Sequence, residues 1–446
     1  MRRQLLPSIL KLMIEYDDTP LISESEQHQP SLFVWFSGVI CLSLISLSSG
    51  SVNVFPSLID LFKSEFHFSD SSATFMLSAG ATLMYITLPA GMFMDKFGVS
   101  LTFGISIGIT IISYVIMFFS SNNTPVFITF YLLMAFGSAS LFITCLQIAL
   151  SRAPPKIKGI SVSIVSASLS MAFGFWFSIY GKGVSIFPKL QPLLAGFKSV
   201  GFFIIGVLVF LSPIAYFCYR NFQPSISQAS GGSSFDVLKS PRLYLLLFSM
   251  LITVFDGMLV LLSGKQIWSI YDPKYESATA DWSMKFSLTN CFFTITLSAL
   301  LDYILSKYEI PRTKGFSFFW MIFSFIPAAI SYAFQNSHSR TVFGILISMM
   351  GIPFGFGLTQ NPAMTSDIFG NERYGFAFGI VQIGSIISAA STLPLMKMLE
   401  KTGITIVFLC AAMAHLITGI MWFLTKNEVE PSSMLKQIEV FLGPNQ

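Results

Sequence analysis

Charge is what this sequence has least of. Only 11% of its 446 residues are Asp, Glu, Lys or Arg, against about 25% in a typical soluble domain. The chain is 53% hydrophobic with a mean hydropathy of +0.70, and a water-soluble fold of this length could not hide that much apolar surface. Histidine and cysteine are scarce as well. Cys41, Cys145, Cys218, Cys291 and Cys410 all fall inside apolar runs, which excludes an extracellular disulfide framework and any Cys/His metal spacing. They read as small apolar packing residues. The sequence has no phosphate loop, since Gly231-Gly232-Ser233-Ser234 lacks both the lysine and the strand-to-helix setting. It has no paired acid/base carboxylates and no Ser/His/Asp set either. An enzyme is disfavoured, and nothing calls for a metal or a cofactor.

What the sequence has instead is long uncharged runs rich in phenylalanine, of which there are 47. A hydrocarbon core of about 30 Å needs about 20 residues per helix, and these runs do not alternate as barrel strands would. Six spans are expected in the first half, at Leu32–Phe55, Ala73–Met94, Leu101–Ser120, Val126–Leu150, Ile160–Tyr180 and Val200–Tyr219. Six more follow at Leu243–Ser263, Phe286–Leu305, Phe316–Phe334, Val342–Gln360, Phe376–Met398 and Ile404–Leu424. The expected fold is therefore an all-α membrane protein of twelve transmembrane helices in two six-helix bundles, 32–219 and 242–424. A polar, turn-rich linker at 220–241 containing Pro224, Gly231 and Gly232 joins them.

An even span count puts both tails, 1–31 and 425–446, on one side. The lysine and arginine bias, with Arg2, Arg3, Lys96, Arg152, Arg220, Arg312, Arg373 and Lys426 on that side, makes it the cytoplasm. The net charge of +4 then reflects topology and offers nothing to nucleic acid. Trp35, Trp320 and Trp422 near one set of span ends, and Trp268 and Trp282 near the other, read as interfacial anchors. In the N-terminal tail, Asp17-Asp18-Thr19-Pro20-Leu21-Ile22 fits an acidic dileucine-type sorting signal. It points to an endolysosomal or vacuolar membrane, with the plasma membrane as the alternative.

The two halves echo each other. Gly91…Asp95 after the second span matches Ser298…Asp302 after the eighth, and Gly159-Ile160 at the fifth matches Gly375-Phe376 at the eleventh. Within Gly91-Met-Phe-Met-Asp95-Lys96-Phe97-Gly98, Gly91 permits close helix packing and Gly98 a tight turn. Asp95 carries a fixed charge suited to a helix N-terminus. These residues resemble the loop motif between the second and third helices of the major facilitator superfamily, although Val99 and Ser100 stand where that motif has further basic residues. The resemblance extends over roughly Leu32 to Leu424. Ser48-Ser49-Gly50, Leu88-Pro89-Ala90-Gly91 and Ser366-Asp367-Ile368-Phe369-Gly370 are similar to the nodulin-like and monocarboxylate-related branch. They are also similar to the system-L-type amino-acid branch, which the chain further resembles around Ser287-Leu288-Thr289-Asn290.

The resemblance implies alternating access with a solute site near the midplane between the bundles. By the repeat, Asp95 and Asp302 are expected as paired latches, together with Gly91, Lys96 and Gly98. Asp95 would face the eleventh span near Arg373, and Asp302 the fifth near Lys156 or Lys158. A lone carboxylate at Asp256, mid-span in the seventh helix, costs at least about 2.5–3.5 kcal/mol on insertion scales. It is the first candidate for binding solute or a proton. Asn53, Gln147, Asn290, Gln360 and Gln382 could line the same cavity, since amides orient carboxylates and amines; they also serve as interhelical glue. Pro353 in the tenth span suggests a gating bend, whereas His415 in the twelfth reads as a packing histidine. Leu133, four residues before Gly137, stands where a drug/proton antiporter of this superfamily would carry arginine.

The expected function is secondary transport of a small polar organic solute, amino acids ahead of monocarboxylates. H⁺ or Na⁺ would be an optional coupling ion and the bilayer the other partner. Alternatives are a monocarboxylate or organic-anion transporter, or a non-transporting receptor or scaffold of the same fold.

Overall fold

The computed structural model describes residues 32–220 and 234–425, apart from 53–54, 56–58, 65, 121–122, 153–157, 187–191, 262, 273, 275–278, 309, 337–338 and 399–402. The first half holds α1 (Leu32–Ser49), α2 (Ile59–Ser64), α3 (Asp70–Leu83), α4 (Leu88–Phe97), α5 (Val99–Phe119), α6 (Thr124–Arg152), α7 (Lys158–Ile186) and α8 (Pro192–Arg220). The second holds α9 (Pro241–Leu261), α10 (Gly264–Tyr271), α11 (Thr279–Tyr308), α12 (Arg312–Phe323), α13 (Phe325–Asn336), α14 (Arg340–Met349), α15 (Gly351–Phe369), α16 (Tyr374–Met398) and α17 (Ile404–Leu424). Ten of the described stretches are long and apolar enough to cross a membrane. With α7 and the broken pair α3 and α4 they make the twelve crossings of the fold.

Three crossings are broken, each by a proline the sequence placed inside one span. Pro89, Pro327 and Pro353 lie in the first turns of α4, α13 and α15, where their missing N–H groups would be unpaired in any case. A proline ring crowds the carbonyl four residues earlier. Those positions are Tyr85 in the α3–α4 break, Phe323 at the last turn of α12 and Met349 at the last residue of α14. The second span is therefore not one helix over 73–94. The expected bend at Pro353 occurs at Met350, and α15 runs past Gln360 to Phe369.

Within the first half α1 packs on α6, α7 and α8, and α5 on α6; within the second, α9 packs on α15, α16 and α17, and α12 on α17. The halves meet along two seams, α7 against α11 and α15, and α16 against α3 and α4. Large apolar side chains such as Phe33, Phe210, Phe325 and Phe423 face outward, as lipid tails require. The tryptophans correct one expectation. Trp268, Trp320 and Trp422 are fully buried rather than interfacial, because their rings fill helix contacts. Trp422 donates its indole N–H to Ser249 Oγ at 2.9 Å, and Trp268 stacks on Trp282.

Candidate functional site

The end of the molecule that carries Asp95 and Asp302 is called the inner end here, following the lysine and arginine bias. At this end Gly98 adopts φ 88°, a left-handed conformation that glycine tolerates, and it turns the chain from α4 directly into α5. Asp95, in the last turn of α4, therefore lies at the seam with α16. Its Oδ1 accepts the Gly375 N–H at 3.0 Å and its Oδ2 the Phe376 N–H at 2.7 Å. These are the second and third residues of α16, whose N–H groups have no partner within the helix. Gly91 lies one turn back, where an added Cβ would sit 2.1 Å from the Gly375 carbonyl oxygen. Only glycine lets α4 approach this closely. Arg373 directly precedes α16, while Lys96 is exposed and packs over the Phe97 ring.

The second seam repeats the arrangement in register. Asp302, near the end of α11, accepts the Ile160 N–H at 3.0 Å and also the Gly159 N–H, again the second and third residues of a helix, α7. The expected Lys158 is in this cluster, but the cation bonded to Asp302 is another one. Arg312, at the start of α12, donates to Asp302 at 3.0 Å, to Asp367 at 3.0 Å and to Gln360 Oε1 at 2.9 Å. Lys158 bonds instead to Asp367 at 2.7 Å and to Ser366 Oγ at 3.0 Å, and Lys156 lies outside the described residues. α7 of the first half is thus tied to α11, α12 and α15 of the second through one charged cluster, buried at Asp302 and exposed at Asp367. Sequence reasoning missed Arg312 and Asp367. They lie 55 residues apart on different helices, and the only hint was two charges at span ends.

The amides disperse. Asn53 lies outside the described residues. Gln147 donates to the Asn371 carbonyl at 2.9 Å, joining α6 to the turn before α16. Gln360 belongs to the inner charge cluster and also donates to Ser298 at 3.0 Å. Asn290 accepts from Thr294 on its own helix at 2.9 Å. None of these three lines the central cavity described below, because helix rotation turns them toward other contacts. Asp256 is also turned away from it. It is fully buried in the second bundle, with Oδ2 2.5 Å from His415 Nε2 on α17. The His415 ring meets the Trp320 ring edge-on at 4.7 Å. On α9 the cavity-facing residues are Met258 and Leu261, which leave the helix on nearly the opposite side from Asp256.

That cavity lies between the bundles, a common setting for small-molecule sites. From the first half come Met84 and Tyr85 at the α3–α4 break, Phe142 on α6, and Leu169 and Ser170 on α7. From the second come Met258, Phe286, Phe354, Leu358 and, alone among the candidate amides, Gln382.

The family model described as Major Facilitator Superfamily matches residues 39–334, while no curated protein matches the chain. Solved structures with a similar fold include the proton:xylose symporter XylE bound to 6-bromo-6-deoxy-D-glucose, with TM-score 0.65, 14% identity, and 88% of this chain and 96% of that one covered. The E. coli fucose:proton symporter FucP gives TM-score 0.62 and 13% identity, covering 86% of this chain and 98% of that one. The human organic anion transporter TETRAN gives TM-score 0.61 and 13% identity, covering 88% and 100%. At such identities the likeness is one of fold.

Proposed function

Because the chain belongs to the major facilitator superfamily, a family of membrane transporters, we propose that it moves a small organic solute by alternating access, with residues 32–219 and 242–424 as the two moving units and 220–241 as their linker. The observation that carries this reading is the pair of aspartate caps. Each half lends a carboxylate to a helix start of the other half, in the same register, around a cavity between them. Charge-assisted hydrogen bonds contribute about 1.5–3 kcal/mol each. They join surfaces that would be rehydrated if the halves parted, so the closed inner end can exchange with an open one separated by a few kcal/mol.

The amino-acid cargo expected from the sequence relied on Asp256 and several amides converging on the solute. With Asp256 bonded to His415, the reading rests at a small organic solute. H⁺ is placed ahead of Na⁺ as coupling ion, since two of the similar folds are named proton symporters. The nodulin-like and system-L-type branches stay the finer placement, supported by the Ser48-Ser49-Gly50 and Ser366–Gly370 motifs. Both termini are assigned to the cytoplasm by charge bias. The endolysosomal or vacuolar membrane rests on residues 17–22, which lie outside the described residues.

Asp95→Asn tests the latch. It keeps the shape but removes the charge, and should weaken the closed inner end by about 1–2 kcal/mol, a factor of roughly 5–30 in population. Ser366, buried at the seam where it meets Lys158, gives the reporter when replaced by cysteine in an otherwise cysteine-free chain. Thiol labelling of Ser366→Cys should rise several-fold on adding Asp95→Asn. Equal labelling with and without Asp95→Asn removes the latch and with it the main support for alternating access.

A further inference from the structure

The walls of the central cavity carry information about what fits inside. Among its twelve described lining residues none is charged, and only Tyr85, Ser170 and Gln382 have a polar side chain. Ser170 directs its hydroxyl to the Ser166 carbonyl of its own helix. Gln382 uses Oε1 to accept from Ser385 Oγ at 2.6 Å, which leaves its NH₂ group unspent among the described residues. The hydroxyl of Tyr85, in the Pro89-imposed break of the second crossing, likewise has no hydrogen bond among the described residues. The cavity therefore offers a hydroxyl from the first half and an amide NH₂ from the second. The rest of its described lining is apolar and includes Phe142, Phe286 and Phe354.

We propose that this cavity takes a neutral small molecule with a largely apolar, ring-sized body and one carbonyl-type acceptor, held by Gln382 Nε2 and Tyr85 Oη. The inference rests on the reading above that the space between the bundles is the cargo site. A carboxylate or ammonium taken from water into these walls loses several kcal/mol of solvation per ion with no opposite charge to offset it. Asp256, the mid-span carboxylate of α9, is turned to His415. A sugar meets the opposite shortage, because it brings more hydroxyls than two unspent groups can satisfy, and each hydrogen bond left unmade on burial is a loss. An apolar ring against three phenylalanines gains burial, and aromatic pairing adds to it.

Four molecules of one skeleton separate charge from shape: 3-phenylpropanamide, 3-phenylpropanoate, 3-phenylpropylammonium and L-phenylalanine. Binding is read from the rise in melting temperature of the purified full chain with ligand concentration, which depends on affinity alone and needs no transport. The amide should bind at least about tenfold more tightly than each charged form. Gln382→Leu and Tyr85→Phe should each weaken amide binding by about tenfold, as loss of one hydrogen bond to a buried group predicts. The proposal is overturned if a charged or zwitterionic form binds as well as the amide, if the amide produces no shift, or if both variants leave its affinity unchanged. A chain that transports phenylalanine but ignores the amide would sink this cargo class and leave the transporter reading standing. Amide binding without any change in Ser366→Cys accessibility under Asp95→Asn would do the reverse.

Discussion

Replacing Arg312 with methionine should open the inner end of the protein more than any other single change. Arg312 is 10% exposed and holds Asp302 and Asp367 at 3.0 Å each, so Arg312→Met leaves the buried Asp302 without its cation, while the exposed Asp367 keeps Lys158 at 2.7 Å. Removing one partner from a buried ionic group costs about 3–5 kcal/mol, because an uncompensated charge stays behind. An open inner end lets water reach Asp302 and so escapes that penalty. A shift of about 5.5 kcal/mol takes a 99:1 equilibrium to 1:99, and Arg312→Met approaches that size. The Ser366→Cys reporter should change from protected to largely labelled, and solute exchange should fall because the closed state is rarely visited. Adding Asp302→Asn removes the stranded charge and should restore much of the protection. If the double variant labels as fully as Arg312→Met, lost packing rather than lost charge balance explains the opening. If Arg312→Met labels no faster than the parent, the cluster has no part in closing the inner end.

The second large effect concerns stability within one bundle. Asp256 and His415 are both fully buried and meet at 2.5 Å across α9 and α17. Asp256 Oδ1 and His415 Nδ1 have no other partner among the described residues. His415→Leu should strand the carboxylate and destabilise the folded chain by about 3–5 kcal/mol, seen as a clear fall in melting temperature in detergent. Asp256→Leu together with His415→Leu replaces the pair by apolar packing and should recover the loss, because buried ion pairs are often no more stabilising than hydrophobic groups of similar volume. Asp256→Asn keeps a hydrogen bond to the imidazole and should melt close to the parent. Flux with an unchanged pH profile in Asp256→Asn would fix the pair as a helix-to-helix tie. Flux that loses its pH dependence while the melting temperature holds would return Asp256 to the transport site that sequence reasoning gave it.

The residues divide by how local their information is. Membrane residence, helical character and the division into twelve crossings follow from composition and run length, which any window of about 20 residues displays. The Gly91, Asp95 and Gly98 motif was legible because its parts lie within one turn region and chirality restricts what can occupy them. The internal echo even indicated which helix start each aspartate would meet, since a repeat carries topology along with residues. Side-chain direction was not legible. Asp256 and His415 are 159 residues apart, Arg312 and Asp367 are 55 apart, and no pattern along the chain records the rotation of one helix against another. Polar residues inside a membrane helix can face the cavity, a neighbouring helix or their own backbone, and all three appear here, in Gln382, Gln147 and Ser170. The sequence by itself determined that the chain would span a membrane as two related halves, each carrying an aspartate that meets a helix start of the other. Only tertiary packing decided which polar groups those halves spend on each other, and it left the described lining of the cavity between them uncharged, because Asp256 turns to His415 and Arg312, Asp302 and Asp367 pair with one another at the inner end.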